Sequence, residues 1–322
     1  MNLSMVTALN NGLRSALTED PKVLLLGEDI GRLGGVFRVT DGLQKDFGSL
    51  RVIDSPLGEA GIVGAAIGLA MRGYRPVCEI QFDGFVYPAV NQIISQLAKY
   101  RHRSGGALAM PVVIRIPYGG GIGSIEHHSE SPEAYFAHTA GLKVVTCSTA
   151  QDAYTMIRQA IADDDPVIFL EPKCRYWRKA EVNESDETPM HRARVLRPGT
   201  DATVICYGPT VATALEAAEI ASQEGRELEV LDLRSLSPLD TDTVRESVTR
   251  TGRALVVHEA ALSHGLGAEI AARIQDEAFY FLQAPIIRVT GYDTPYPPSR
   301  LEEDWLPGPD RILAALDRAM SY

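Results

Sequence analysis

Glu59 is the first residue of this chain whose type and position could do chemistry. The segment 54–61, DSPLGEAG, places its carboxylate in the first turn of a glycine-rich helix, and the following run 62–70 carries no charge. Such a helix is expected to be buried, and a carboxylate at its N-terminus can be desolvated and held against a ligand, where its pKa is tuned for proton exchange. The same carboxylate could instead only stabilise the helix dipole, and acidic first turns are common. Glu59 is therefore a candidate acid–base residue that needs support from elsewhere in the chain.

Phe85 and a glycine-rich loop each follow another predicted strand. Ligands in open α/β sheets bind beyond the carboxyl ends of the strands, so the segment 78–85, CEIQFDGF, is a candidate pocket wall. Phe85 could stack on a planar heterocycle or belong to the core. The stretch 119–124, GGGIGS, has neither the GxGxxG register nor a Gly-Lys-Ser/Thr ending. It therefore predicts a mobile loop and not a phosphate-binding loop.

The glycine-rich loop leads into two adjacent histidines, His127 and His128. Neighbouring histidines in a polar, glycine-flanked loop are atypical of a core, and imidazole suits proton transfer near neutral pH. Metal ligation is the weaker alternative, because adjacent histidines usually point apart and no cysteine or spaced third histidine completes a ligand set. We therefore favour acid–base catalysis or substrate contact. Two further segments, 232–236 and 258–259, end strands in the second half and could be site residues or subunit contacts.

The elements that must position these residues alternate between short β-branched runs and helix-length segments, a pattern typical of parallel sheets covered by helices. In the first half, strands are predicted at 23–26, 77–80, 112–116, 142–145 and 167–170, and helices near 4–18, 59–72, 86–101 and 150–163. In the second half, strands are predicted at 203–207, 228–233, 254–258 and 286–289, and helices near 210–224, 240–250, 266–278 and 308–320. The polar stretch 180–200, with its two prolines, interrupts the pattern. The sequence thus predicts two α/β domains, 1–182 and 199–322, joined by a linker at 183–198.

Composition restricts the class of protein further. A chain of 322 residues can bury two cores, and its 45% hydrophobic and 23% charged residues are typical of a globular protein. No apolar run approaches the roughly 18 residues of a membrane helix, and the first residues lack a signal pattern, so we expect a cytoplasmic protein with no membrane partner. Four scattered cysteines without CxxC or CxxH spacing predict neither disulfides nor zinc. The formal net charge of -11 argues against nucleic-acid binding but is compatible with a basic protein partner.

Taken in order, these segments resemble the beta subunits of the first component of 2-oxo-acid dehydrogenase complexes. The segments that carry the resemblance are LGEDIG (26–31), SPLGEAGIVGAAIGLAMRG (55–73), CEIQF (78–82), YRHRSGG (100–106), HHSESPEAYFAHTAGLKVV (127–145), DDDPVIFLEP (163–172), LDLRSLSPLD (231–240), VVHEA (256–260) and VTGYDTPYPP (289–298). Their order and spacing matter more than any one of them. The resemblance implies an α/β fold in which a thiamine diphosphate pyrimidine-binding domain, a parallel sheet with helices on both faces, precedes a transketolase C-terminal-like α/β domain.

The resemblance also implies roles for single residues. Glu59 matches the glutamate that contacts the ring nitrogen of the aminopyrimidine and exchanges a proton there, and Leu57 matches a further cofactor contact. Phe85 matches the aromatic residue packed on the pyrimidine. His128 matches the histidine near the thiazolium, which serves substrate binding or acyl transfer to lipoamide. Glu130 stands where the family more often has glutamine, and its carboxylate is expected to favour the imidazolium form of His128.

A structural potassium site is a softer implication of the resemblance, because several of its ligands are backbone carbonyls that leave little sequence signal. Carbonyl and carboxylate oxygens at a helix end suit a hard cation. The matching positions are Val112, Ala160, Ile161, Asp163 and Asp165.

One absence suggests that the chain holds only half of an active site. Thiamine diphosphate enzymes usually bind the diphosphate through magnesium held by a GDG segment and a later NN pair, yet the chain has no GDG and its only NN is Asn10-Asn11. The resemblance therefore implies an alpha subunit that supplies the magnesium-binding half, in an α2β2 heterotetramer. It also implies contacts with the subunit-binding and lipoyl domains of a dihydrolipoyl acyltransferase.

The substrate is expected to be a branched-chain 2-oxo acid, 2-oxoisovalerate, because the segments CEIQF, YRHRSGG, HHSESPEAYFAH and VTGYDTPYPP look closer to that branch than to pyruvate or acetoin enzymes. Pyruvate or acetoin enzymes are the alternative branches. A catalytically silent docking subunit is a hypothesis of another class, which the joint presence of Glu59, Phe85 and His128 disfavours. A nicotinamide-dependent oxidoreductase is excluded, since the loop after the first strand, 27–31, carries no GxGxxG.

Overall fold

The computed structural model describes all 322 residues, and its strands fall into three sheets. The strands are β1 (Asn2–Ser4), β2 (Val23–Gly27), β3 (Val52–Asp54), β4 (Arg75–Glu79), β5 (Val113–Tyr118), β6 (Lys143–Thr146), β7 (Val167–Pro172), β8 (Lys179–Glu181), β9 (Arg194–Arg197), β10 (Ala202–Cys206), β11 (Leu228–Asp232), β12 (Ser235–Ser237), β13 (Ala254–Ala261) and β14 (Ile287–Gly291). β1 and β8 form a small antiparallel pair of their own.

Helices connect and cover the two larger sheets. The α-helices are α1 (Met5–Glu19), α2 (Leu43–Phe47), α3 (Glu59–Met71), α4 (Ala98–Arg103), α5 (Glu133–Ala137), α6 (Ala150–Ala162), α7 (Thr210–Gln223), α8 (Thr241–Thr251), α9 (Leu266–Ala278), α10 (Glu302–Trp305) and α11 (Pro309–Met320). Short 3-10 helices lie at Asp83–Ala89, Glu126–His128, Lys173–Arg175, Phe279–Phe281 and Ser299–Leu301, and a π-helix lies at Asn91–Leu97. No helix combines the length and the apolar character needed to cross a bilayer.

The first sheet has seven strands in the order β12-β6-β7-β5-β4-β2-β3. The six strands from the first half of the chain run parallel, and every residue of β2, β5 and β7 is buried. Helices cover both faces of such a sheet, which is why its strands read as continuous apolar runs and do not alternate. α1 and α6 pack together on one face, and α3 lies against β4 on the other.

The second sheet has five strands in the order β14-β13-β10-β11-β9, with only the edge strand β9 antiparallel. α7 and α11 pack on one face, and α8 and α9 cover the other. The α/β fold class with a parallel-rich sheet in each half is therefore confirmed.

Strand β12 links the two halves. It follows β11 in sequence but pairs antiparallel with β6 at the edge of the first sheet. The largest apolar core likewise runs from Leu26 and Val63 to Leu233 and Ile270, across both halves. The boundaries 1–182 and 199–322 stay a prediction, because the packing continues across them.

The predicted long strands and helices appear in the structure within a few residues of their expected bounds, with one correction. The segment 86–101 is not one continuous helix: it begins as the 3-10 helix Asp83–Ala89, passes through the π-helix and ends as α4. Pro88 lies inside the first of these and lacks the N–H that a continuous α-helix needs. This irregular segment carries Phe85.

Candidate active site

The candidate site forms where the parallel strands of the first sheet end. Glu28 follows β2, Glu59 follows β3 after a four-residue turn, and Phe85 follows β4. The glycine-rich loop and His128 follow β5, and Lys173 follows β7. Carboxyl ends of parallel strands meet at one edge of a sheet, and this edge is where open α/β sheets bind ligands.

Glu59 is the first residue of α3 and is half-buried. Gly58 precedes it with φ 153°, a backbone conformation that favours glycine, and donates its N–H to Glu28 Oε1 over 3.2 Å. Burial raises the pKa of the Glu28 carboxyl, and the nearby Glu59 carboxylate raises it further. Leu57, two residues earlier, is 86% exposed. The helix N-terminus thus presents two neighbouring carboxylates beside an uncovered leucine.

The structure brings Phe85 and His128 together. Their ring centroids are 5.2 Å apart in an edge-on arrangement. Phe82 packs against both rings, with its centroid 5.7 Å from that of Phe85 and 4.1 Å from that of His128. Gly84 permits this approach, because a Cβ there would lie 2.3 Å from the carbonyl oxygen of His127.

His128 is half-buried, and its Nδ1 has no hydrogen-bond partner within the protein. Burial lowers its pKa, the positive charges of His127 and Lys173 lower it further, and Glu126 opposes the shift. The pKa of His128 therefore shifts in the direction opposite to the one expected from Glu130. The Glu130 carboxylate lies beside Tyr87, whose hydroxyl donates to it over 3.5 Å. His128 is therefore a neutral imidazole whose buried Nδ1 has no partner within the protein.

A buried ionic network, which sequence reasoning missed, supports the strand ends beneath the site. Arg115 donates from Nε and Nη2 to Glu171 over 2.7 and 2.8 Å, and from Nη1 to Glu79 over 2.7 Å. Tyr176 donates to Glu171 over 2.6 Å. The sequence signal was a charged residue inside each of three apolar strands, β4, β5 and β7. Buried charges need this complete pairing, because an unpaired one costs several kcal/mol.

A second buried ion pair joins Asp83 to Lys173. Asp83 opens the 3-10 helix that carries Phe85, and its Oδ2 accepts the backbone N–H of Glu130 over 2.9 Å. Neither residue was singled out from the sequence, because their partnership spans residues far apart in the chain.

The glycine-rich loop, predicted to be mobile, is fastened by carboxylates of the second half. Gly120 donates its N–H to Glu259 over 2.9 Å. Gly121 and Gly123 each donate to Glu302 over 3.0 Å. Tyr296 donates its hydroxyl to the same Glu302 carboxylate over 2.6 Å. These contacts fix the segment that leads into His127 and His128.

The segments 232–236 and 258–259, which could have been site residues or subunit contacts, make hydrogen bonds within the chain. His258 is buried, its Nε2 accepts the Gly267 N–H over 3.1 Å, and burial lowers its pKa to about 4. Arg234 donates to Asp152 over 2.9 Å from Nε, and to the carbonyls of Pro189 and Arg192 from Nη1 over 2.9 and 2.8 Å. Arg234 thereby ties the second half to α6 and to the connecting segment.

The predicted potassium ligands lie together at the amino ends of β5, β6 and β7, on the opposite edge from Glu59. Their oxygens already have cationic or backbone partners. Lys143 Nζ lies 2.7 Å from Asp163 and 3.1 Å from Asp165, and Arg75 Nη1 donates to the carbonyls of Ile161 and Asp163 over 3.1 and 3.0 Å. The carbonyls of Val112 and Ala160 accept backbone N–H groups. The carboxylates fit poorly with a further cation, and we derive no chemistry from potassium.

Nothing at the edge of the first sheet that carries Glu59 and His128 resembles a magnesium site. Asn10, from the only NN pair, donates its side-chain amide to the carbonyls of Val39 and Asp41 over 2.8 and 3.0 Å. No cluster of three His, Cys, Asp or Glu side chains is placed to hold a metal ion. The residues at this edge of the sheet fit the heterocyclic part of a cofactor: a carboxyl group to exchange a proton with a ring nitrogen, an aromatic face and a neutral imidazole. They offer no ligand set for a diphosphate.

The sequence matches two known domain families. Residues 1–177 match the family described as transketolase, pyrimidine binding domain, and residues 191–312 match transketolase, C-terminal domain. A solved structure described as a split-gene transketolase, inactive beta4 tetramer, superposes with a TM-score of 0.81 and covers 99% of this chain and 98% of its own, at 22% identity. That likeness concerns the fold.

Several curated relatives are similar over nearly their whole length. A pyruvate dehydrogenase E1 component subunit beta of Leifsonia xyli subsp. xyli is 60% identical, covering 100% of this chain and 96% of the relative. A 3-methyl-2-oxobutanoate dehydrogenase subunit beta of Mycobacterium tuberculosis is 56% identical, with 99% and 92% covered. A 2-oxoisovalerate dehydrogenase subunit beta of Pseudomonas aeruginosa is 43% identical, with 99% and 95% covered. Relatives named for different 2-oxo acids thus lie at comparable similarity.

Proposed function

Because the chain belongs to the beta subunits of the first (E1) component of 2-oxo-acid dehydrogenase complexes, we propose that it carries one half of a thiamine diphosphate site. An alpha subunit completes this site in an α2β2 heterotetramer. The observation that carries the proposal is the grouping of Glu59, Phe85 and His128 at one sheet edge without any ligand set for a magnesium-bound diphosphate.

Glu59, Leu57 and Phe85 hold the pyrimidine end of the cofactor. The Glu59 carboxyl group, at the open N-terminus of α3, contacts the ring nitrogen and exchanges a proton with it. Phe85 packs on the ring face, and the exposed Leu57 forms part of the wall. When bound, thiamine diphosphate supplies the carbon nucleophile that attacks the 2-oxo group and holds the electron pair left after decarboxylation.

His128 binds the substrate or assists transfer of the acyl group to lipoamide. Its lowered pKa supports this assignment, since a neutral imidazole keeps a lone pair that can accept a proton. Phe82 and Phe85 hold the ring from two sides, which limits its rotation.

Exposed apolar residues near the candidate site support an alpha subunit as the partner. Leu33 and Val36, which follow β2, and Leu57, which follows β3, all leave large side chains uncovered. Such residues mark protein contact surfaces when they gather around a site. The alpha subunit supplies magnesium and the diphosphate contacts, and the assembled enzyme passes its acyl group to the lipoyl domain of a dihydrolipoyl acyltransferase, whose subunit-binding domain docks it in the complex.

We propose 2-oxoisovalerate, a branched-chain 2-oxo acid, as the substrate, from the segments that resemble this branch. The 56% identity to the mycobacterial 3-methyl-2-oxobutanoate enzyme supports this choice. Pyruvate is the second candidate, which the 60% identity to the Leifsonia pyruvate dehydrogenase subunit favours.

The test is co-expression with a candidate alpha subunit and an assay of decarboxylation of 2-oxoisovalerate and pyruvate, with thiamine diphosphate and magnesium. We expect activity only in the mixture and a higher kcat/KM for the branched substrate. A preference for pyruvate overturns the substrate but keeps the half-site. Turnover by this chain alone overturns the half-site. Full activity of a Glu59→Ala variant in the assembled complex identifies a silent docking subunit.

A further inference from the structure

The buried ion pair Asp83–Lys173 lies directly beneath the aromatic side of the proposed site. Asp83 is 1% exposed and Lys173 is 2% exposed. The Lys173 ammonium donates to Asp83 Oδ1 and has one further acceptor at its limit of reach, the Pro117 carbonyl at 3.5 Å. Two charges withdrawn from water cost several kcal/mol each, which a single contact rarely repays with a surplus of stability. A role in placing neighbouring groups accounts for the pair better than stability does.

Asp83 connects the two segments that carry the site residues. It opens the 3-10 helix that places Phe85, and its second oxygen, Oδ2, accepts the N–H of Glu130 over 2.9 Å. Glu130 lies two residues after His128. The carboxylate therefore fixes the Phe85 helix and the His128 segment to each other, and Lys173 anchors the carboxylate to the end of β7.

Lys173 places a positive charge under the same rings. Its Nζ lies 5.7 Å from the Phe82 ring centroid, and Phe82 lies 4.1 Å from the His128 ring. The charged groups that act on His128 are Lys173 and His127, which disfavour its imidazolium, and Glu126, which favours it. Asp83 and Glu259 act in turn on Lys173.

We propose that Asp83 and Lys173 are positioning residues for the proposed reaction: they fix the His128 segment against the Phe85 helix and present a positive charge beneath the imidazole. This inference rests on the proposed function, because positioning matters only if Phe85 and His128 face cofactor and substrate. A displacement of about 1 Å at such a site lowers activity by about 100-fold.

Three variants separate the two parts of the proposal. Lys173→Arg keeps the charge and the hydrogen bond. Asp83→Asn/Lys173→Gln keeps hydrogen-bonding groups of similar length without charge. Asp83→Leu/Lys173→Met keeps neither but fills the space, and such apolar replacements of a buried pair are often neutral for stability. Thermal unfolding of each full-length chain shows which variants fold as the wild type does.

The first measurement is the titration of His128 by NMR in the full-length chain labelled with [13C]histidine, with His128→Gln assigning its signal. We expect the pKa of His128 to stay low in Lys173→Arg and to rise part of the way in both double variants, because burial and His127 still lower it there. This readout does not depend on enzymatic activity. It therefore tests the ion pair independently of the proposed function. Inactivity of the assembled wild-type enzyme on every 2-oxo acid would overturn the proposed function and leave this test valid.

The second measurement is the pH profile of kcat/KM with the alpha subunit present. We expect Asp83→Leu/Lys173→Met to lose about 10-fold to 100-fold in kcat/KM. Asp83→Asn/Lys173→Gln should lose less but shift the acid limb of the profile upward, and Lys173→Arg should restore both. The inference is overturned if either double variant folds normally yet keeps the wild-type titration and the wild-type profile.

Discussion

Glu59 and Glu28 place two carboxylates at one helix N-terminus, where the partial positive charge of the helix favours negative side chains. The Gly58 N–H is taken by Glu28, so Glu59 is left to face a ligand. Glu28 thus accepts the backbone N–H at the start of the helix, and Glu59 is available as an acid–base residue. Residue types near strand ends predicted Glu59, Phe85 and His128. They could not predict Glu28 or Lys173, since the significance of each depends on a partner distant in sequence.

Glu59→Gln tests the acid–base role at the scale of one residue. We expect kcat of the assembled enzyme to fall about 10²-fold to 10⁴-fold, because the amide cannot exchange a proton in the range of a carboxylate. The measurement is 2-oxo-acid decarboxylation at saturating cofactor. Glu246→Gln, an exposed change on α8, is the matched control and should keep wild-type activity. Equal activity of the two variants contradicts the role of Glu59.

At the scale of elements, the site depends on one irregular segment between β4 and α4. Long strands were predictable because burial on both faces leaves a continuous apolar run. Amphipathic helices were predictable because burial on one face leaves a periodic pattern. The three-residue strands β1, β3, β8 and β12 leave no such pattern, because each forms only through pairing with a partner strand. The break of the predicted helix at 86–101 follows from Pro88, but only the structure shows that the resulting 3-10 turn carries Phe85 toward His128.

Gly84→Ala tests this close approach. An added Cβ would meet the His127 carbonyl at 2.3 Å, so the 3-10 helix and the histidine segment must separate. We expect a loss of about 1–3 kcal/mol in the free energy of unfolding, measured in urea, and at least a tenfold loss of kcat/KM in the assembled enzyme. Gly68→Ala is the control, because no atom lies within 4 Å of its added Cβ and alanine favours a helix interior. Its stability should be unchanged or increased.

At the scale of the whole molecule, three features hold the two halves together: strand β12 in the first sheet, a shared apolar core and Arg234. The sequence predicted two α/β units correctly in class, yet it gave no sign that β12 crosses to the first sheet. Nor could it show that Glu259 and Glu302 reach back to the glycine-rich loop, because a carboxylate's acceptor role leaves no local pattern.

Arg234→Met should strongly destabilise the chain. It leaves Asp152 buried and without its Nε partner, and removing one member of a buried pair costs about 3–5 kcal/mol. Urea unfolding measures the loss. Arg245→Met, which breaks an exposed pair with Asp242, is the control and should cost at most about 1 kcal/mol. A loss no larger than that of the control means that Arg234 does not hold the halves together.

The pH dependence of stability should report Glu259. Burial raises its pKa to about 7, and Glu133 raises it while the Gly120 N–H, Lys173 and Arg175 oppose the rise. Because the folded state holds this proton more tightly than the unfolded state, its contribution to stability is complete below the ordinary carboxyl pKa and is lost as pH rises through about 7. Glu259→Gln should therefore flatten the fall of Tm between pH 5 and 8. An exposed change, Glu303→Gln, should leave that slope as in the wild type.

Because Glu302 anchors the glycine-rich loop, this loop lacks that anchor until the residues near 302 have been synthesised. All six parallel strands of the first sheet leave the ribosome before β12 and Glu302 exist. At about 5–20 residues per second, the loop before His128 waits on the order of ten seconds for its anchor. During translation, the nascent chain therefore carries an open sheet edge and a glycine-rich loop without its Glu302 anchor, until residues of the second half supply β12 and Glu302.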